Sequence, residues 1–147
     1  MDDDDTIVDN YTEGGGHAGV VVRYYGNRHY YAVTIRNQEP PEYAEDGGYE
    51  IRLAEYNDGW TRRDGVELDT VDLFRSNEKY TLYVKCENNS IYGEVFDSGG
   101  TSLGSVSWTD TWYPFPTGNP GLRWNTASWP YTSARFDNFK VCPLPPP

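Results

Sequence analysis

Between residues 19 and 141 the chain is written in a period of two. In 49–56 (YEIRLAEY), Tyr49, Ile51 and Leu53 fall on one side and Glu50 and Arg52 on the other. In 79–87 (KYTLYVKCE), Tyr80, Leu82, Val84 and Cys86 alternate with Thr81, Tyr83 and Lys85. Successive side chains leave a β-strand on opposite sides, so this alternation sends one face to a core and the other to solvent. No window of about 11 residues carries apolar positions at helical spacing, which predicts almost no helix. Turn chemistry cuts the pattern into short pieces. Gly26-Asn27-Arg28-His29 separates 19–25 from 30–35, and Asn57-Asp58-Gly59 and Asp64-Gly65 flank Trp60-Thr61-Arg62. Asn88-Asn89-Ser90 and Ser98-Gly99-Gly100 bound 91–97, and strands are expected again at 101–107, 121–124 and 133–141. Short strands punctuated every 8–12 residues or so predict an all-β, antiparallel sandwich or barrel.

A chain of 147 residues is long enough for one domain that closes its own core. We divide it into an acidic N-terminal segment, 1–15, in which 6–11 (TIVDNY) supplies one edge strand; a β-sandwich, 16–142; and the start of a proline-rich linker, 143–147. The first ten residues carry neither the basic nor the apolar region of a signal peptide. Either a signal was removed or the protein is intracellular, and the proline run at the other end suggests a module cut from a longer protein. No stretch approaches the roughly 18 apolar residues of a membrane span, so no membrane insertion is expected. A net charge of −11 speaks against nucleic acid as a partner, since such binding rests on clustered Lys and Arg. Aromatic residues make up 16% of the chain, unlike disordered sequences. An acidic, aromatic-rich, lysine-poor composition points to an extracellular, secreted protein.

The aromatics carry the main functional expectation. A sandwich core absorbs Tyr49, Tyr80 and Phe136, but Trp108, Trp112, Tyr113, Trp124, Trp129 and Tyr131 lie largely in or beside loops rich in Pro, Gly, Ser and Thr. Flat indole and phenol faces suit the apolar C–H faces of sugar rings, while Arg, Asp, Glu and Asn take the hydroxyls. Arg23, Arg52 and Tyr83, on outward strand positions, would form a platform beside those loops. The plainer alternative is that the tryptophans plug the ends of the sandwich. His17 and His29 are the only histidines; neither has a partner at metal-ligand spacing, and His29 is expected to be exposed in its hairpin loop. Cys86 and Cys142 fall on two predicted strands, where they form either a disulfide pinning the last strand or two thiols.

The ordered series GHAGVVVRY, YYAVTIR, GGYEIRLAEYNDGWT, KYTLYVKCENNSIYGEVFD, GNPGLRW and SARFDNFKV resembles the concanavalin A-like, laminin G-like jelly-roll superfamily over about residues 16 to 141. The resemblance implies a jelly roll of about 10–12 strands. Members carry one or two strands before GVVVRY, and only 1–15 precede it here. An edge left open, or filled from elsewhere, would favour self-association. The superfamily includes glycoside hydrolases whose active strand reads Glu-x-Asp-x-(x)-Glu, against which Glu67-Leu68-Asp69-Thr70-Val71-Asp72 is weighed. Alternation puts Glu67 and Asp69 on one face, but the third position is the shorter Asp. The segment also stands where related binding domains carry an ordinary connecting strand. The last strand's Asp137 matches a position that related jelly rolls use for a structural Ca²⁺, with Asp9 or Glu13 and a carbonyl near Gly47-Gly48 as further oxygen donors; the alternative is a hydrogen bond to a neighbouring loop. Together these features lead to the expectation of a non-catalytic carbohydrate-binding module of a secreted multimodular protein, with a polysaccharide as partner. A structural or adhesive subunit of an extracellular filament or surface assembly is the second expectation. A glycoside hydrolase or lyase using Glu67 and Asp69 is the third.

Overall fold

A computed structural model describes residues 4–9, 17–25, 29–37, 49–57, 61–69, 78–112, 114–115, 117–125 and 133–142, and the side-chain environments of most of them. Ten strands run through these residues. They are β1 (Asp4–Asp9), β2 (His17–Tyr25), β3 (His29–Asn37), β4 (Tyr49–Asn57), β5 (Thr61–Asp69), β6 (Glu78–Glu87), β7 (Ser90–Phe96), β8 (Ser102–Thr109), β9 (Asn119–Asn125) and β10 (Ser133–Asp137). The described residues contain no helix, so none is long and apolar enough to cross a membrane. Two antiparallel five-stranded sheets result, ordered β10-β1-β6-β7-β8 and β5-β4-β3-β2-β9. The expected all-β, antiparallel β-sandwich is the observed architecture.

Alternation decides the core. Val20 and Val22 of β2, Tyr31, Val33 and Ile35 of β3, and Ile51 and Leu53 of β4 meet Tyr80, Leu82 and Val84 of β6, Ile91 and Val95 of β7, and Val106 of β8. Burying each of these aliphatic side chains stabilises the fold by about 1.5–3 kcal/mol. Gly93 of β7 lets the sheets approach: a Cβ there would lie 2.5 Å from Cγ1 of Val33 on the facing sheet. Val33 is β-branched and fully buried, so it has little room to yield. Gly93→Ala is therefore expected to cost about 1–3 kcal/mol by overpacking. A lowered urea midpoint would show it; an unchanged midpoint would mean that the sheets separate without cost.

Two expectations are corrected. The N-terminal strand is not an edge: β1 pairs with β10 on one side and β6 on the other, filling the interior of its sheet. Asp64-Gly65 is not a turn but part of a β-bulge, because Leu53 opposes Val66 while Ala54 opposes Asp64. A bulge and a turn ask for the same residues, which is why the two look alike in sequence. Of the two arrangements expected for Cys86 and Cys142, the structure carries the two thiols. Cys86 packs against the core from β6, whereas Cys142 is exposed beyond the end of β10. Burial pushes the Cys86 thiol up to about 11.

Candidate functional site

The outer face of the β5-β4-β3-β2-β9 sheet is built of registered rows. One row runs Arg123, Gly19, Thr34, Arg52, Glu67 across all five strands. The next runs Gly121, Val21, Ala32, Ala54, so its side chains are small and the floor there is low. Beyond it stand tyrosines: Tyr30 opposes Tyr56, and Tyr24 opposes Asn119. Val21, Tyr30, Ala32, Ala54 and Tyr56 form a second apolar cluster, separate from the inter-sheet core. Thr34 and Arg52 are buried in this face, Arg52 with 5% of its surface exposed.

Arg123 dominates the open side. Its guanidinium lies 4.1 Å from the centroid of the Tyr56 ring and 5.4 Å from that of Tyr30, and Nη1 donates to the Tyr30 hydroxyl. The two rings are stacked, with centroids 4.8 Å apart and planes inclined by 15°. Tyr24 extends the aromatic patch, 5.8 Å from Tyr30, and 43% of it is exposed. Burial lowers the guanidinium pKa from its ordinary value, yet an arginine keeps its charge under such a shift. Beside it opens a cavity of about 300 Å³ lined by Val21, Tyr24, Tyr30, Asn119, Pro120 and Arg123, with Gly121 and Leu122 completing the wall. Among the described residues, no carboxylate or histidine lines this cavity. Aromatic faces, an amide and a fixed cationic donor equip it to hold a polar ligand with an apolar face.

The described residues between β8 and β9 are anchored to β2 and β3. The Tyr31 hydroxyl donates to Asp110 Oδ2 at 2.7 Å and accepts from the Phe115 amide at 3.0 Å, all within the buried interior. Asp110 Oδ1 accepts from the Trp112 amide at 3.0 Å, and Asn89 and Asp110 exchange two further hydrogen bonds. Burial and the bond to Asp110 both raise the Tyr31 pKa well above the ordinary phenol value. The next anchor is Arg23, which sits in the β2 bulge with φ at 54° and donates from Nη1 to the Phe115 carbonyl at 2.7 Å. Gly118 passes so close that a Cβ there would lie 2.3 Å from the Arg23 carbonyl carbon, so only glycine fits.

The residues singled out in sequence do not form one group. Arg52 belongs to the face just described. Arg23 is turned to the Phe115 carbonyl instead. Tyr83 stands on the outer face of the other sheet, edge-on to Tyr92 with centroids 6.4 Å apart. Trp108 is half-buried, packed against the core and edge-on to Tyr31 at 6.0 Å, which is the plug arrangement. Trp112 is 75% exposed. Trp124 lies in β9 opposite Ala18, its side-chain environment outside the described residues, as are Tyr113, Trp129 and Tyr131 entirely. His29, expected in solvent, is half-buried with its ring against Phe115 at 5.3 Å and Tyr25 at 5.5 Å. Glu67 and Asp69 are in β5, opposite Arg52 and Glu50; 70–72 lie outside the described residues.

Asp137 is exposed at the end of β10, and its Oδ1 accepts from the Asn138 amide at 2.8 Å. Its opposite number in register is Asp5, while Asp9 pairs with Ser133 at the far end of β1. Glu13 and 47–48 lie outside the described residues. Among the described residues no three of His, Cys, Asp or Glu gather, so these alone do not make the cage of six to eight or so oxygens that Ca²⁺ takes. Sequence reasoning missed Arg123, Tyr30, Tyr56 and Tyr24. The available signal was parity: in GLRW, Arg123 alternates with Leu122 and Trp124.

No protein-family model matches the chain, and no curated protein matches it. Among solved structures it is similar to a carbohydrate-binding module, CBM66, from Bacillus subtilis. The TM-score is 0.59 and the identity 15%, over 93% of this chain and 70% of that one. At that identity the likeness establishes a shared β-sandwich fold. A structure of Scytalido-glutamic peptidase with a peptide-based transition-state analogue is similar at a TM-score of 0.46 and 11% identity, over 93% of this chain and 69% of that one. That likeness is too slight to bear on function.

Proposed function

We propose that the protein is a non-catalytic carbohydrate-binding module of the concanavalin A-like jelly-roll type, borne by a secreted multimodular protein. It takes a polysaccharide on the outer face of the β5-β4-β3-β2-β9 sheet. The observation that carries the reading is the cavity of about 300 Å³ beside Arg123, where a guanidinium stacked on Tyr56 and Tyr30 meets the exposed ring of Tyr24. A sugar ring laid against Tyr24 would present its hydroxyls to Arg123 and Asn119. The sandwich shared with a carbohydrate-binding module supports the reading by analogy of fold, a weaker kind of support than the site itself.

The test is a fluorescence titration against soluble glucans, xylans, mannans, galactans and fructans, with and without calcium, accompanied by an assay for released reducing ends. Saturable binding to one glycan class without product is expected. Because Glu67 lies in β5 opposite Arg52, Glu67→Gln is expected to leave the reducing-end assay at background, as in the unmodified protein. Hydrolysis by the unmodified protein that Glu67→Gln abolishes would replace the binding reading with an enzymatic one.

A further inference from the structure

We infer that the opposite face of the sandwich carries a second glycan-binding site, selective for neutral polysaccharide, which makes one chain bivalent. The inference rests on the carbohydrate-binding reading but on a different set of residues. Strands β6, β7 and β8 present three registered rows outward: Tyr83, Glu94, Ser105; Lys85, Tyr92, Ser107; and Glu87, Ser90, Thr109. Their neighbours Leu82, Val84, Ile91, Val95 and Val106 all point into the core, which fixes the orientation of the rows. With strands about 4.8 Å apart, each row spans about 10 Å, the scale of a sugar ring and its substituents.

Side-chain height shapes this face. Tyr83 and Tyr92 stand tall on the inner strands, whereas β8 ends the sheet with short, exposed Ser105, Ser107 and Thr109. The step between them forms a trough of about 370 Å³, lined chiefly by Lys85, Tyr92, Ser90, Ser107 and Thr109, with Trp108 at its wall.

The polar groups are already ordered. The Tyr92 hydroxyl donates to Glu94 Oε2 at 2.6 Å, and Ser102 donates to Glu94 Oε1 at 2.6 Å. Ser90 and Thr109 share a hydrogen bond of 2.8 Å, and Lys85 Nζ lies 2.8 Å from Glu87 Oε2. A ligand therefore meets donors and acceptors whose positions are largely set beforehand, which reduces the entropy lost on binding. Charge selects the ligand class. In a chain of net charge −11, the described residues of the trough include one cation and one anion, paired with each other, and otherwise hydroxyls, a phenol and apolar groups. Hydroxyls exchange hydrogen bonds with neutral sugars, and the Tyr92 ring offers its face to their C–H groups. An acidic glycan would find no uncompensated cation among these described residues. The Arg123 cavity opens on the other sheet, so sugar rings in the two sites lie on opposite surfaces of the sandwich.

Calorimetric stoichiometry tests this with cellohexaose, xylohexaose and mannohexaose as probes, followed by turbidity of the matching soluble polysaccharide. Ser107 is exposed on an edge strand, so Ser107→Trp fills the trough without touching the core. Tyr92→Phe keeps the ring and removes its hydroxyl. The expected result is two hexaoses per chain in the unmodified protein and one in Ser107→Trp. Tyr92→Phe is expected to bind the second hexaose about tenfold more weakly, the worth of one good hydrogen bond. Arg123→Ala is expected to keep the trough site, and only the unmodified protein is expected to cross-link polysaccharide into turbid aggregates. One hexaose per chain, retained in Ser107→Trp and lost in Arg123→Ala, would overturn the second site and leave the module reading standing. Absence of saturable binding to every probe would overturn both.

Discussion

Tyr31→Phe is expected to lower the melting temperature by about 10 °C. The hydroxyl lost is the acceptor for the buried Phe115 amide and a donor to the buried Asp110 carboxylate. A buried polar group deprived of its partner costs about 1–3 kcal/mol, more when charged, so the pair of losses comes to about 3–4 kcal/mol. For a domain of this size each kcal/mol moves the melting temperature by about 2–4 °C. The same contact carries a pH signature whose sign is fixed. In the unfolded chain the phenol ionises near pH 10 or so. In the folded chain, burial and then Asp110 hold the proton on Tyr31 to higher pH. Stability from this group is therefore complete below about pH 10 and declines above it, as the unfolded state releases a proton that the folded state retains. The phenylalanine variant lacks this component, so its deficit relative to the unmodified protein narrows above pH 10 by up to about 1.4 kcal/mol per pH unit. Urea denaturation across that range reads it directly. A deficit that holds constant into alkali would show that Tyr31 does not keep its proton in the folded state.

The second large effect is on affinity. Arg123→Ala is expected to weaken glycan binding about 100-fold, because a hydrogen bond from a charged donor contributes about 1.5–3 kcal/mol. Arg123→Lys keeps the charge but loses the planar fork that lies on Tyr56 and Tyr30, and is expected to recover only part of the loss. Arg123→Ala also gives up two cation–π contacts worth about 0.5–1 kcal/mol each, so its fold is checked by circular dichroism before titration. Tyr24→Ala provides the variant with least structural cost, since 43% of the residue is already exposed. Its expected loss is about tenfold, in line with one aromatic contact and its buried area. Unchanged dissociation constants in both Arg123→Ala and Tyr24→Ala would move binding off this face.

The sandwich was legible in the sequence because its core is encoded locally. Tyr80, Leu82 and Val84 alternate with Thr81, Tyr83 and Lys85 whatever lies across the sheet, and the same holds for Ile51 and Leu53 against Arg52. Strand ends were less legible, and one of them changed a functional assignment. With β8 running to Thr109, Trp108 continues the outward–inward alternation after Val106 and Ser107 and lands inside, where it packs on Tyr31. A strand ending at Ser107, as the sequence alone suggests, leaves it to a loop. Bulges were hidden for a similar reason, since the extra residue in β2 and in β5 shows only against a partner strand.

Arg52 could be placed outward by parity, but its companions could not. Arg123 and Tyr30 are 93 positions apart, and only the pairing of β9 with β2 and of β2 with β3 brings them together. Arg23 shows the converse. Its φ of 54° breaks the alternation of β2 and turns a side chain read as outward toward the Phe115 carbonyl.

The central claim, that glycan sits beside Arg123 on the outer face of the β5-β4-β3-β2-β9 sheet, is tested most directly by amide chemical-shift mapping with the tightest-binding glycan of the panel. The account predicts perturbations centred on Val21, Tyr24, Tyr30 and the 119–123 stretch of β9, with a second group at Lys85, Tyr92 and Ser107 on the opposite face. Perturbations confined to Asp110, Trp112 and the residues around them, with β9 unmoved, would contradict it.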